Sequence, residues 1–498
     1  MSQTLAPLLR VHVADTVAVA LCPLPAGTTA LGITLAQAVP QGHKIALTPH
    51  AAGAMVVKYG LPIGRATQAI APGEHVHTHN LVTALAGELR YTRASTHAAP
   101  PLPPADPTWQ GYRRADGRAA TRNEVWILPT VGCVGMTAEA VARTAQARHG
   151  AALASHAIDG IHAFSHPHGC SQLGDDLDGT RALLAGLAAN PNAAGVLLLG
   201  LGCESNQLDA LIDAVPLAAR GKLRVLSSQS AGDEMAMAGA LVDELVERAS
   251  SARREALPLS ALTVGMKCGR SDAFSGLTAN PLLGRFADHL AAAGGQAILT
   301  EIPEVFGAEQ ALLDRAVNEE VFTAAAALIN GFKRYYLDQG LPVSENPSPG
   351  NLAGGITTLE EKSLGAVQKG GQAPLVDVIT YGRQTRRAGL TLLEAPGNDA
   401  ISSSALAAAG ATMVLFTTGR GTPLGFPVPT LKVASNHTLA NAKPHWIDFD
   451  AGIALDAGPA AADAAFLARI LAVASGSECA AERAGQRAIA IWKRGVTL

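Results

Sequence analysis

Apolar and polar positions along this chain follow three successive patterns. Over residues 1–92 the apolar residues come in short bursts, VHVADTVAVALCPL, KIALTPH, AMVVKYG and GEHVHTHN, punctuated by Gly53, Gly60, Pro62 and Gly73, with little helical periodicity. That pattern predicts a small β unit. The HAAPPLPPADP stretch cannot sustain a helix or an interior strand, because proline fixes φ and lacks a backbone donor. Residues 93–107 therefore read as an extended, semi-rigid linker.

From residue 108 the pattern changes. Apolar runs alternate with Ala/Leu-rich helical segments: EVWILPTVGC, IDGIHAFSHPHGC, AAGVLLLGLGCE and KLRVLSS, closed by a long helical piece from Asp233 to Arg254. A second series follows: LTVGMKCGRSD, QAILTEIPE, LVDVITYG, LTLLEAPGND, TMVLFTTGRG and TLKVASN. Continuous apolar runs interleaved with helices predict buried parallel strands. The expected architecture is α/β, with the N-terminal β unit followed by two α/β domains, 108–255 and 256–498.

Length and charge narrow the classes. At 498 residues the chain exceeds one ordinary core. With 38 basic and 41 acidic residues, no bulk field recruits nucleic acid or an anionic membrane. Each apolar run is broken by charge, Gly or Pro, so no membrane span is expected, and the N-terminus lacks a sustained apolar leader; a cytoplasmic location is the expectation. Six cysteines are too sparse for a disulfide framework.

In open parallel sheets ligands bind beyond the carboxyl ends of the strands, and the polar, Gly-rich motifs of this chain lie there. Cys133, Cys170, Cys203 and Cys268 share one slot, a strand-to-loop turn beside glycine. Two readings stand for them: thiolates from separate loops that ligate iron or an iron–sulfur cluster, or small apolar side chains that pack well at strand ends. His75, His77 and His79 alternate in GEHVHTHN, so an extended backbone would aim all three imidazoles to one face, for metal binding or proton transfer; a solvated strand edge is the alternative. His43 and Lys44 offer anion contacts, or plain surface polarity.

Oxygen donors form a third group. Asp272, Glu301, Glu304, Asn398, Asp399, Asp448 and Asp450 all follow apolar runs, and carboxylates meeting in one crevice can hold a divalent ion. Helix capping is the competing role for each Asp or Asn, and Asp399 precedes a helix it could cap. The NPSPGN and TTGRGT loops fit anion recognition through backbone N–H groups, with Asn351, Arg420 and Thr422 as contacts. Neither is a phosphate loop, and no dinucleotide fingerprint follows a first strand, which argues against an NAD-dependent oxidoreductase.

Taken together the motifs resemble the altronate/galactarate dehydratase family from end to end. GHKIALT, KYGLPIG and GEHVHTHN resemble its N-terminal β-clip of the SAF type. GYRRADGRAATRNEVWILPTVGCV, HGCSQLGDD and GLGCESNQ resemble its middle domain. SGLTANPLLGRF, NPSPGNLAGGITTLEEKSLG, APGNDA, TTGRGTP and HWIDFDAG resemble its last domain. SQLGDD and IDFDAG bring the chain nearer to the altronate type. The resemblance implies an iron-stimulated, dimeric lyase acting on a small sugar acid, with a divalent metal in a Rossmann-like C-terminal domain. Fe(II) is the first expectation, with Mn(II), Mg(II) or an iron–sulfur cluster as alternatives.

Dehydrating such an acid to its 2-keto-3-deoxy product needs a base, an acid and electrophilic stabilisation of the enediolate. The expected catalytic residues are His75, His77 and Lys362, which lies in the LEEKSLG segment. Expected metal ligands are Asp272, Glu301, Asp399 and Cys268, and substrate contacts are His43, Lys44, Arg270, Asn351, Arg420 and Thr422. The chain departs from the family at Gly135-Met136, at His168, at Lys267, at Arg270 where the related turn has glycine, and in the Pro-Leu-Gly-Phe-Pro that follows Thr422. Arg270 suggests a substrate with a second anionic group, a sulfonated acid among them. A sugar-acid-binding protein without catalysis is the non-enzymatic alternative.

Overall fold

The computed structural model describes residues 6–85, 87–93 and 107–498. Of the expected linker only its ends, Arg93 and Pro107, fall within them. The N-terminal unit holds two small antiparallel sheets and a two-stranded hairpin of Thr29–Ala30 with Ile33–Thr34. One is ordered Leu8–Leu9, Val17–Ala20, Lys44–Ala46, His75–Val76, and the other Met55–Lys58, Leu61–Ala66, Leu81–Val82. Its apolar bursts supply the buried Ala18, Ile45, Val56, Ile63 and Val76.

The chain enters and leaves the middle domain through two antiparallel neighbours, Thr108–Arg113 and Glu255–Pro258. Between them lies a parallel sheet in the order Gly160–Ala163, Glu124–Pro129, Ala193–Gly200, Leu223–Ser227. Alternation sends Val125 and Ile127 to one face, against helices Gly135–Arg148 and Glu234–Ala249. Trp126 and Leu128 face the other way, toward helix Gly174–Ala189. That helix also packs on Asp399–Ala408 of the next domain, where a Cβ on Gly186 would lie 2.6 Å from the Ala408 carbonyl oxygen. The two domains thus share one core.

The C-terminal sheet has seven parallel strands in the order Leu375–Ile379, Gly389–Leu393, Gln296–Leu299, Thr263–Gly269, Met413–Thr418, Thr430–Ala434, Phe449–Asp450. All six strands expected from the apolar runs form, and a short edge strand is added. The chain starts at Thr263–Gly269, lays Gln296–Leu299, the edge strand Leu375–Ile379 and then Gly389–Leu393 between them on one side, and returns to lay Met413–Thr418 on the other. The switch in winding therefore falls between these two strands, where open α/β sheets place their crevice. Among the described residues no helix is long and apolar enough to cross a membrane.

Candidate active site

The turns that leave the two strands at the switch point touch. The Gly419 N–H donates to the Arg270 carbonyl at 3.2 Å. A Cβ on Gly419 would lie 2.4 Å from Asp272 Cγ, so this approach requires glycine. Arg270 takes a left-handed φ of 54°, which turns the chain sharply out of the strand. A cavity of about 620 Å³ opens here, lined by Arg270, Ser348, Asn351, Arg420, Thr422 and Trp446. Neither Arg270 nor Arg420 has a carboxylate ion-pair partner among the described residues, and Arg420 donates to the Gly350 carbonyl at 3.1 Å. A smaller cavity of about 230 Å³ shares Arg420 and adds Gln41 of the N-terminal unit, Asp272 and Asn436.

A buried network lies at the ends of the same strands. Cys268 Sγ donates to Glu304 at 3.0 Å, and Lys369 Nζ lies 2.8 Å from the same sulfur and 3.3 Å from Glu301. Lys267 reaches Glu301 at 3.0 Å and Asp399 at 2.7 Å, and Lys362 reaches Glu304 at 2.8 Å and Asn346 at 3.0 Å. Burial opposes ionising Glu304, yet Lys362 and Lys369 hold its carboxyl down to about 2. Burial would also depress Lys362, but Glu304 outweighs it and the ammonium is held above its ordinary range. Burial and Glu304 push the Cys268 thiol up, so it stays protonated. Burial likewise raises Glu301, whose backbone sits at a left-handed φ of 69°. A non-glycine residue held there costs about 1–3 kcal/mol, which marks a position fixed by its surroundings.

One donor atom each from Cys268, Glu301 and Glu304 lies within 4.8 Å of the others, a spacing that can hold a metal ion. The donor set, one sulfur and two carboxylates, suits a transition ion such as Fe(II). Glu301 Oε1 is buried and makes no well-aligned hydrogen bond, its one polar neighbour being Lys267 Nζ at 3.0 Å. The three lysines already offset the carboxylates, so a bound ion would replace ammonium contacts.

Four imidazoles gather on the N-terminal unit. His43 Nδ1 lies 3.0 Å from His75 Nε2, and ring centroids of the His43–His77, His75–His77 and His75–His79 pairs are 4.9, 5.5 and 5.4 Å apart. The cluster leans on the loop that lines the cavities: His77 donates to the Leu352 carbonyl at 3.0 Å. Burial lowers His43 and His77 and takes His75 to about 3, helped by the neighbouring imidazoles, so these rings are neutral at neutral pH. The convergence comes from a turn, not from strand alternation. Only His75–Val76 is strand, and Asn80 accepts the His77 N–H at 2.9 Å to fold the chain back.

Four of the expected residues have structural partners of their own. Lys44 makes no substrate contact: it is fully buried and donates to Glu361, Thr357 and the Gly355 carbonyl, each at 2.8 Å. Lys58 takes the other Glu361 oxygen at 2.8 Å, so this triad is the seam between the N-terminal and C-terminal domains. Asp272 is a cap: its Oδ1 accepts from Ser275 N–H, Ser275 Oγ and Ser435 Oγ, and its Oδ2 from Asn436, and it stands outside the Cys268–Glu301–Glu304 group. Asn351 lines the cavity, but its amide links Ser348 to the Ser271 carbonyl. Asp399 sits in the first helical turn and pairs with Lys267, while Asn398 is the cap.

Cys268 is buried in the network, whereas Cys133, Cys170 and Cys203 are exposed on the middle domain. Lys369 was not anticipated. It lies in the tight turn Val367–Gly370 that follows helix Leu359–Ala366, from which its ammonium reaches Cys268 and Glu301.

With this geometry in place, the comparisons with known proteins are specific. Residues 6–84 match the altronate/galactarate dehydratase SAF domain, 111–250 the D-galactarate dehydratase/altronate hydrolase second domain, and 259–497 the D-galactarate/altronate dehydratase C-terminal domain. The chain belongs to this family of dehydratases. It is 47% identical to altronate dehydratase of Bacillus subtilis (strain 168) over 496 residues, covering 98% of this chain and 99% of that one. Identity to altronate dehydratase of Escherichia coli (strain K12) is 46% over 497 residues, 98% of this chain and 99% of that one. Galactarate dehydratase (L-threo-forming) of Escherichia coli (strain K12) is 33% identical over 461 residues, 89% and 88% of the two chains.

Proposed function

We propose that this chain is a hydro-lyase that converts a sugar acid of the altronate type to its 2-keto-3-deoxy acid, in the cleft between Arg270 and Arg420. The observation that carries this reading is two guanidiniums without acidic partners at the switch point, beside a buried Lys–Glu–Cys network. A carboxylate entering the cavity finds two bidentate donors, each charge-assisted contact worth about 1.5–3 kcal/mol.

The protonation states divide the labour. His75 and His77 are neutral and can accept the C2 proton, and both pack on His43, two residues along from Gln41, which lines the smaller cavity. Lys362 is protonated and can donate to the hydroxyl leaving C3, with Glu304 holding the ammonium in place. The resulting enol tautomerises to the keto acid. A divalent ion, Fe(II) before Mn(II) or Mg(II), would be held by Cys268, Glu301 and Glu304 and would supply Lewis acidity to the substrate carboxylate and 2-hydroxyl. Family membership supports a homodimer and a cytoplasmic location.

The paired guanidiniums also favour a second reading, that the preferred acid carries another anionic group, a carboxylate or sulfonate, at its far end. A panel of aldonates, aldarates and sulfonated hydroxy acids, scored for keto acid and for sulfite, tests both. Turnover of none of them contradicts both.

A further inference from the structure

Three cysteines take no part in the cleft. Cys133, Cys170 and Cys203 follow Glu124–Pro129, Gly160–Ala163 and Ala193–Gly200, three neighbouring strands of the middle-domain sheet, with Cys133 on the central one. All three thiols are free and exposed. Their loops are tied to one another. The Gly132 N–H donates to the His168 carbonyl at 2.9 Å, and the Asn206 N–H donates to the Gly169 carbonyl at 3.0 Å. The Asn206 amide also reaches the Thr130 carbonyl at 3.2 Å.

Each of these cysteines directly follows a glycine, and the glycines let the loops close up. A Cβ on Gly169 would lie 2.1 Å from the Thr130 carbonyl oxygen, and one on Gly132 would lie 3.0 Å from that of His166. Buried polar side chains brace the same loops. Glu204 accepts from Thr130 Oγ1 at 2.5 Å and from the N–H groups of Leu201 and Gly202 at 3.1 and 2.6 Å. Gln172 accepts from the Gly169 N–H at 2.9 Å. Two buried amide atoms in these loops, Gln172 Nε2 and Asn206 Oδ1, have no hydrogen-bond partner. Leaving such an atom unpaired costs about 1–3 kcal/mol, an arrangement expected where the loops are shaped around a ligand.

Packing explains buried cysteines such as Cys479, but it gives no reason for three exposed thiols on three interlocked loops. The three sulfurs do not all come within 4.8 Å of one another, so as placed they are not gathered on a single ion. We propose that Cys133, Cys170 and Cys203 bind an iron–sulfur cluster of the four-iron type through three thiolates. One iron is then left without a cysteine ligand and open to an exogenous oxygen donor. The site is separate from the Cys268 network and does not rest on the reading of the cleft.

The test is anaerobic reconstitution of the full chain with ferric iron, sulfide and a thiol reductant. The readouts are iron and acid-labile sulfide per chain and electron paramagnetic resonance of the reduced protein. The expected result is about four of each per chain. Both fall to background in Cys133→Ser, Cys170→Ser and Cys203→Ser, and both are kept in Cys22→Ser, which removes an exposed thiol elsewhere. Alkylating the surface thiols of the folded wild-type protein before reconstitution must block uptake too, which guards against variants that misfold. Iron without sulfide, or full uptake by the three Ser variants or by the alkylated protein, overturns the proposal.

Discussion

Lys362 Nζ lies 2.8 Å from Glu304 Oε1, and the two groups hold each other in their charged forms inside the protein. In the proposed reaction this pairing would supply a fixed proton donor for the leaving hydroxyl. Because Glu304 also accepts from Cys268, the ammonium, the carboxylate and the thiol form one hydrogen-bonded group.

Under the proposed second reading, Arg270 would set the preference between singly and doubly anionic acids. Replacing it with Gly removes one bidentate donor, so kcat/KM for an aldarate or sulfonated acid falls about ten- to a hundredfold more than for altronate. An unchanged ratio of the two kcat/KM values removes Arg270 from substrate recognition.

The neutral imidazoles set the acid limb of the rate profile. With His75 at about 3, the base remains deprotonated well below the ordinary imidazole value of 6.5. The kcat/KM of the wild type therefore holds its plateau below that value on acidification, and His75→Ala lowers the plateau. An acid limb at the ordinary imidazole value, or an unaltered profile in the variant, contradicts the assignment.

Glu361 is a stability residue whose effect depends on pH. Lys44 and Lys58 take its carboxyl from 4.5 down to about 2 in spite of burial. Stabilisation from this group is thus complete above about pH 4.5 and is lost as the pH falls through about 2. Glu361→Gln strands two buried ammonium groups and costs about 3–5 kcal/mol by urea unfolding at neutral pH. It also flattens the decline of stability in that acidic window. A variant as stable as the wild type refutes the seam's energetic role.

Metal removal tests the Cys268–Glu301–Glu304 group. Chelation abolishes keto-acid formation and ferrous iron restores it, whereas Glu304→Gln needs more iron for half-maximal recovery. Full turnover in rigorously metal-free protein contradicts a metal requirement.

What could be read from the chain follows from how far apart the partners lie. Strands of the two parallel sheets were legible because burial on both faces leaves continuous apolar runs. The edge strand Phe449–Asp450 escaped, being two half-buried residues long. Arg270 and Arg420 were legible as cations in glycine turns after strands, and the three imidazoles as a close cluster. Lys44 was misread because a lysine on a short strand looks solvated. Its partner Glu361 is 317 residues away and gives no local signal. Asp272 could equally cap or ligate, and only Ser435 and Asn436, brought in by another strand, decide for the cap. Lys369 gave no local signal, because it lies in the turn after the helix that carries Lys362 and meets Cys268 only across 101 residues of sequence.

The central claim is that the cleft dehydrates a sugar acid with Lys362 as proton donor. The direct measurement is formation of 2-keto-3-deoxy acid from altronate by the iron-loaded wild type and by Lys362→Met, with circular dichroism confirming that both are folded. The account predicts steady product from the wild type and a loss of about 100- to 10,000-fold in the variant, the usual contribution of a positioned acid. Absence of keto acid from the wild type, or undiminished turnover by Lys362→Met, contradicts it.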